Sequence, residues 1–122
     1  MKNVLIIEDD KFILNTVVKK FENSEFSVDF ARDIDEAVSF LEKKIPDIIL
    51  LDIILPKGNG LELLKKIKGD SRTASIPVIV FSNLSSDENI KTAKEYGAVQ
   101  YIIKANVSPL EVVNKVKEIL SI

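Results

Sequence analysis

The amino-acid sequence predicts an α/β fold, a doubly wound five-stranded parallel sheet covered by five helices. Five short apolar runs recur along the 122 residues, and segments with helical apolar spacing separate them. Most of these runs are apolar throughout, which is typical of parallel strands buried on both faces. The length is that of one ordinary domain.

The first strand is predicted over residues 4–7, and apolar residues at helical spacing over 11–22 predict the first helix. Phe26, Val28 and Phe30 alternate with polar residues, which indicates a second strand with one apolar face.

Asp33 and Glu36 form a capping-box pattern at the start of the second helix. The third strand is predicted over 48–51, and a turn rich in proline and glycine at 55–60 leads into the third helix. The apolar residues that mark this helix are Leu61, Leu64 and Ile67.

The fourth strand is predicted over 78–81, and Ser85 or Ser86 is expected to cap the fourth helix. That helix has a thin apolar stripe, so we expect a loosely held or partner-covered element. Its clear apolar residues are Ile90 and Ala93, and Gly97 ends it.

The last two elements are the fifth strand, 99–103, and a fifth helix that ends the chain. Ser108, Pro109 and Glu111 supply an N-cap, a first-turn proline and a capping glutamate for this helix.

Composition narrows the class of function. Apolar residues make up 46% and charged residues 30%, a globular rather than a disordered or membrane balance, and the N-terminus resembles neither a signal peptide nor a span. The net charge of −2 is spread along the chain, so we expect no direct binding of nucleic acid and no membrane association. The chain contains neither cysteine nor histidine, which excludes disulfides and thiolate or imidazole metal sites and fits a cytoplasmic protein.

Chemically informative residues follow the carboxyl ends of four predicted strands: Glu8, Asp9, Asp10, Asp52, Ser82 and Lys104. Each alone has an ordinary explanation as a helix cap, turn residue or solvated charge. Because ligands of doubly wound sheets bind beyond this edge, the residues are expected to converge there. Crowded carboxylates need a cation, and oxygen ligands with open water positions suit Mg²⁺, with Mn²⁺ as an alternative ion.

These blocks resemble the receiver domains of response regulators, similar to the single-domain chemotaxis-type regulators of two-component systems. The resemblance rests on residues 4–10, 49–56 with Gly60, 78–82 and 101–104, and it covers essentially the whole chain. It implies a flavodoxin-like sheet of strand order 2-1-3-4-5 and one receiver domain over 1–122.

The resemblance also implies the roles of the acidic residues. Asp52 is the expected phosphoacceptor. Glu8, Asp9, Asp52 and the backbone carbonyl of Ile54 are the expected ligands of Mg²⁺. Asp10 is then expected to cap the first helix.

Lys104 is expected to neutralise the transferring phosphoryl oxygens, and the Ser82 hydroxyl to hydrogen-bond them. The family couples this bond to inward rotation of an aromatic residue, here Tyr101, and partners would read the surface around helix four, strand five and helix five. An alternative for Tyr101 is a residue at the core edge with its hydroxyl in water.

A histidine kinase, a phosphotransfer protein or a small molecule is the expected phosphoryl donor, because the chain has no histidine of its own. We expect no output domain, since the chain ends directly after helix five; it then acts on a downstream protein or was cut from a larger regulator. A phosphorylation-dependent homodimer is a further expectation. The chain is expected to be a signalling domain rather than a turnover enzyme, catalysing only its own phosphorylation and slow dephosphorylation.

Four residues depart from, or vary within, the family pattern. Ala105 follows Lys104 where the family usually has a cis-proline, so this loop should be strained or trans, with Lys104 aimed differently. Asn83 replaces a small residue and could crowd the entrance or hydrogen-bond the phosphate. Ile54 and Leu84 are apolar at positions that flank the attacking water, which predicts slow hydrolysis of the acyl phosphate.

Three other functions share parts of this pattern. A flavodoxin-type electron carrier would need a Ser/Thr/Gly phosphate loop where this chain has three acids. A haloacid-dehalogenase-like phosphatase would need a second acid two residues after its nucleophile, whereas Asp52 is followed by Ile53 and Ile54. A degenerate receiver that no longer accepts phosphate is disfavoured by the intact acids.

Overall fold

The computed structural model describes residues 1–122, and it confirms parallel strands that alternate with helices. The strands are β1 (Asn3–Ile7), β2 (Ser27–Ala31), β3 (Ile48–Leu51), β4 (Val78–Ser82) and β5 (Gln100–Ile103). The helices are α1 (Lys11–Glu22), α2 (Ile34–Lys43), α3 (Gly60–Gly69), α4 (Asp87–Glu95) and α5 (Pro109–Leu120). The five strands form one parallel sheet in the order β2-β1-β3-β4-β5, which confirms the predicted fold and strand order.

Apolar side chains cover both faces of the sheet, as the uniformly apolar strands predict. Leu5 and Ile7 of β1 point into a cluster of 17 buried residues that includes side chains of α2, α3 and α4. Val4 and Ile6 point into a second cluster of 14 buried residues, which α1 and α5 complete. The two clusters hold the carboxyl ends of the strands at a common edge.

Polar side chains begin the helices where the sequence indicates. Ser86, one of the two expected residues, caps α4, and both hydrogen bonds of a capping box start α5. The capping box expected at α2 is only half formed. Asp33 accepts the N–H of Glu36, but the Glu36 carboxylate accepts the N–H of Arg32 instead of that of Asp33.

The second strand differs from the expectation of one buried apolar face. Phe26 precedes β2 and packs edge-to-face on Phe21 of α1, whereas Phe30 is 53% exposed. Because β2 is an edge strand, it has a sheet neighbour only on the β1 side, and Phe30 belongs to neither buried cluster, although the next residue, Ala31, lies in the first.

Gly60 brings the start of α3 onto the backbone that carries Asp52. A Cβ at Gly60 would lie 2.1 Å from the Asp52 carbonyl oxygen, so only glycine permits this approach. The Gly60 N–H donates to the carbonyl of Ile53 at 2.6 Å. Between these residues, Ile54–Leu55 and Gly58–Asn59 pair as a short antiparallel ladder that the sequence did not predict.

None of the helices has the length and apolar character needed to cross a membrane.

Candidate functional site

The carboxyl edge of the sheet gathers the residues singled out in the sequence. Glu8 follows β1, Asp52 follows β3, Ser82 ends β4 and Lys104 follows β5. Glu8 and Ser82 are each 1% exposed and Asp52 is 7% exposed, so these polar groups lie within the fold. The Asp10 side chain caps α1, accepting the N–H of Ile13 at 3.1 Å, while its backbone N–H donates to Glu8 Oε2 at 3.2 Å.

Three carboxylates form an acidic cluster at this edge: Glu8, Asp9 and Asp52. One oxygen from each lies within 4.8 Å of the others. Glu8 and Asp52 are buried, whereas Asp9 is exposed and leaves one side open to water. Oxygen ligands with open positions suit a divalent cation that keeps several waters.

Lys104 supplies the positive charge nearest to this cluster. Its Nζ lies 2.5 Å from Glu8 Oε1 and donates a hydrogen bond to Asp52 Oδ2 at 2.8 Å. The Lys104 side chain is only 10% exposed, and its ammonium lies 5.6 Å from the centroid of the Phe81 ring. Every peptide bond is trans, including that between Lys104 and Ala105. The loop is therefore trans, one of the two expected alternatives, and Lys104 still reaches Glu8 and Asp52.

The pKa values of the Glu8 and Lys104 pair follow from burial and opposite charge. Burial raises the pKa of Glu8 above its ordinary value, and the Asp52 carboxylate adds to this, while Lys104 only partly offsets it. Burial by itself would lower the pKa of Lys104, but hydrogen bonds and attraction from Asp52 and Glu8 outweigh it and raise that pKa. Lys104 is thus held as a cation at neutral pH.

The remaining oxygen of Asp52, Oδ1, lies near the N–H of Ile54 at 3.4 Å, a long contact. The Ile54 side chain is 62% exposed beside the acidic cluster. Its carbonyl as a metal ligand stays a prediction.

The loop after β4 connects Ser82 with Tyr101. Ser82 Oγ accepts the N–H of Leu84 at 3.2 Å. Burial raises the pKa of Tyr101, and a hydrogen bond with the nearby Ser82 hydroxyl only partly offsets this. The Tyr101 hydroxyl donates to the Leu84 carbonyl at 2.5 Å, so this hydroxyl is bonded to the loop rather than directed only to water. Leu84 thus links the buried hydroxyl at the site to the half-buried aromatic residue on β5.

Asn83 and Ala105, the two unusual loop residues, contact each other. The side-chain Oδ1 of Asn83 accepts the N–H of Ala105 at 2.9 Å. The sequence flagged each residue separately, but nothing in it indicated that they pair across 22 positions.

Sequence reasoning also missed an apolar groove beside the site. The groove, of about 310 Å³, lies between α1 and the loops that carry Asn83 and Lys104, and Phe12 lines it. Phe12 is 79% exposed. The only feature of the sequence that indicated this groove was Phe12 itself, an aromatic residue next to the buried stripe of α1. The approach to Lys104 from this side is therefore largely apolar.

The sequence and the structure both match known proteins. Residues 4–117 match the family model described as the response regulator receiver domain. The phosphate regulon transcriptional regulatory protein PhoB of Escherichia coli K12 is 35% identical over 119 residues, which cover 98% of this chain and 52% of PhoB. The chain therefore spans about half the length of this curated relative.

Two similar solved structures are response regulators. The phosphorylated cyanobacterial phytochrome response regulator RcpA has a TM-score of 0.85 and 31% identity, covering 97% of this chain and 90% of RcpA. The Mn²⁺-bound form of response regulator Rcp1 has a TM-score of 0.85 and 26% identity, covering 96% of this chain and 92% of Rcp1. With the family match across nearly the whole chain, these likenesses establish that the protein belongs to the response regulator receiver-domain family of two-component signalling.

Proposed function

We propose that this chain is a divalent-cation-dependent phosphoacceptor, which takes a phosphoryl group from a phosphohistidine donor onto Asp52 and thereby changes a surface read by a partner. One observation carries the proposal: a carboxylate oxygen of Asp52 lies within 4.8 Å of oxygens of Glu8 and Asp9, and Asp52 also accepts a hydrogen bond from the Lys104 ammonium at 2.8 Å. This is the arrangement that phosphoryl transfer to a carboxylate requires.

In the proposed reaction an Asp52 carboxylate oxygen forms a bond to the donor's phosphorus, the bond from phosphorus to the donor's imidazole nitrogen breaks, and an acyl phosphate results. The electron pair of the broken bond leaves with the imidazole. Lys104 is held as a cation within the site and attracts the negative charge of the transferring group. Burial of Glu8 and Asp52 strengthens this attraction.

A cation bound by Glu8, Asp9, Asp52 and the Ile54 carbonyl would supply the remaining charge neutralisation. We propose Mg²⁺ as this cation because the ligands are few and all are oxygens. Mn²⁺ has similar ligand preferences, and the structurally similar Rcp1 is known in a Mn²⁺-bound form.

The proposed switch begins at Ser82. Its hydroxyl can donate to a phosphoryl oxygen, and the same hydroxyl accepts the N–H of Leu84, whose carbonyl accepts the hydroxyl of Tyr101. A shift of this loop toward Asp52 would therefore move the bonding partner of Tyr101 and alter the surface formed by α4, β5 and α5. The thin apolar stripe of α4, with Ala93 as its one buried residue, suits an element that changes position.

The proposed partners are a histidine kinase or phosphotransfer protein as donor and a downstream protein as target, with a phosphorylation-dependent homodimer as one form of output. PhoB is named as a transcriptional regulator, but this chain matches only about half of it, and its own spread of charge favours no direct contact with nucleic acid. The lack of cysteine is compatible with the cytoplasm as the expected location.

The test is incubation with acetyl phosphate and Mg²⁺, followed by intact-mass measurement. We expect the mass of one added phosphoryl group, lost in Asp52→Asn and on chelation of the metal. Asp35→Asn is the matched control, since Asp35 is an exposed aspartate on α2 whose side chain is paired only with the exposed Lys57. A wild-type chain that gains no phosphoryl group, or an Asp52→Asn variant that still gains one, would contradict the proposal and favour a degenerate receiver.

A further inference from the structure

We propose that Asn83 is a positioning residue for Lys104, acting through the backbone amide of Ala105. The inference rests on the proposed phosphoryl transfer to Asp52 and adds a residue to its machinery. Asn83 Oδ1 accepts the Ala105 N–H at 2.9 Å, while Lys104 Nζ reaches Asp52 at 2.8 Å and Glu8 at 2.5 Å.

The peptide group that joins Lys104 to Ala105 is a rigid plane, so a hydrogen bond to its N–H fixes the direction in which the chain leaves Lys104. That direction in turn limits where the Lys104 side chain can point. Only an N–H can make this bond, and a proline at position 105 would lack it. The unusual Ala105 therefore creates the donor that the unusual Asn83 accepts.

Little else fixes the backbone here. Residues Lys104–Asn106 form a single 3₁₀ turn without a side-chain cap. Its closing bond, from the Val107 N–H to the Lys104 carbonyl, is 3.5 Å long, which is weak beside the 2.9 Å bond to Asn83. Ala105 and Asn106 are exposed, so core packing does not restrain them either.

Asn83 also directly follows Ser82, the buried hydroxyl at the same edge. One exposed side chain therefore ties the loop after β4 to the loop after β5, which carry the two groups expected to meet the phosphoryl oxygens. Since Asn83 itself is exposed, truncating it should leave the apolar core intact.

Asn83→Ala should lower the rate of phosphorylation of Asp52 by acetyl phosphate about three- to tenfold, the range expected for loss of one ordinary hydrogen bond. The midpoint of thermal unfolding should change little. Asn114→Ala, at an exposed asparagine of α5, is the matched control and should leave the rate unchanged.

A double-mutant cycle with Ala105→Pro isolates the hydrogen bond between Asn83 and Ala105, because that substitution removes the backbone N–H that donates it. If Asn83 acts through the Ala105 N–H, Asn83→Ala should lower the rate in the wild-type background and have almost no effect in the Ala105→Pro background. An equal loss of phosphorylation rate in both backgrounds would overturn the proposal and assign Asn83 to direct contact with the phosphoryl donor.

A second readout needs neither metal nor phosphate. In metal-free protein, the NMR signals of the Lys104 ε-methylene and the Ala105 amide proton should shift in Asn83→Ala and stay in place in Asn114→Ala. Unchanged Lys104 signals in Asn83→Ala would refute the positioning role. This measurement stands even if the wild-type chain accepts no phosphoryl group, so failure of the inference and failure of the proposed function are distinguishable.

Discussion

Replacing Lys104 with methionine should destabilise the metal-free protein by about 3–5 kcal/mol, the usual effect of removing one partner of a buried ion pair. Lys104 Nζ is 2.5 Å from Glu8 and 2.8 Å from Asp52. At an effective dielectric constant of about 20, each such pair attracts by about 6 kcal/mol, and desolvation of the three charges offsets part of this. Methionine keeps the apolar stem and removes the charge, so the two carboxylates are left to repel each other.

Urea unfolding at neutral pH in the presence of a chelator measures this loss. With a slope of about 1–3 kcal/mol per molar urea, the midpoint should fall by at least about 1 M. Saturating Mg²⁺ should restore much of the stability that Lys104→Met loses, because a cation held by Glu8, Asp9 and Asp52 would replace the missing ammonium. Lys115→Met is the matched control: its ion pair with Glu118 is 3.2 Å long but exposed, and such pairs contribute about 0–1 kcal/mol.

The stability of Lys104→Met should also depend on pH in a defined way when no metal is present. Burial already raises the pKa of Glu8 above 4.5, and loss of Lys104 removes a group that lowers it. A carboxyl whose pKa is raised in the folded state favours folding at low pH, and that contribution is lost as pH rises through the raised pKa. The difference in stability between wild type and variant should therefore narrow on acidification below neutral pH. A midpoint shift no larger than that of Lys115→Met, or a gap that widens in acid, would refute the account of this cluster.

Further expectations concern the lifetime of the acyl phosphate and the glycine under Asp52. A polar or acidic side chain at Ile54 and Leu84 should shorten the lifetime of the phosphorylated protein about tenfold or more, because either side chain could orient the attacking water. The decay is followed by intact mass after removal of the phosphoryl donor, and an unchanged decay rate would count against this expectation. Gly60→Ala should destabilise the fold by at least about 1–3 kcal/mol in urea unfolding, since its Cβ would overlap the Asp52 carbonyl oxygen. Gly69→Ala, whose Cβ meets nothing within 4 Å, should be neutral or slightly stabilising, and equal losses in the two variants would contradict the steric argument.

The sequence predicts the fold well where one local pattern decides the outcome. The α1 bounds agree with the 11–22 stripe because its buried residues repeat at helical spacing. Ser108 and Glu111 start α5 with the predicted capping box. Phe30 could not be placed by alternation, because exposure at an edge strand depends on how far the covering helices reach.

Part of the candidate site can likewise be predicted from local sequence patterns, and part cannot. The convergence of Glu8, Asp52 and Lys104 follows from parallel strands that share one carboxyl edge, so periodicity alone predicts their neighbourhood. The Asn83 to Ala105 bond does not follow from periodicity, since it joins two loops through a side-chain atom. Loop contacts of this kind depend on backbone angles that local residue types do not determine.

The sparse attachment of α4 would limit the free energy that the proposed switch has to supply. Ala93 is the helix's one buried residue, and transfer of a methyl group from water to a protein interior contributes only about 0.8 kcal/mol. A ligand shifts a conformational equilibrium only by its difference in affinity for the two states. One or two hydrogen bonds gained at Asp52 are of that size, so the proposed phosphorylation would supply enough free energy to shift a helix that buries a single side chain.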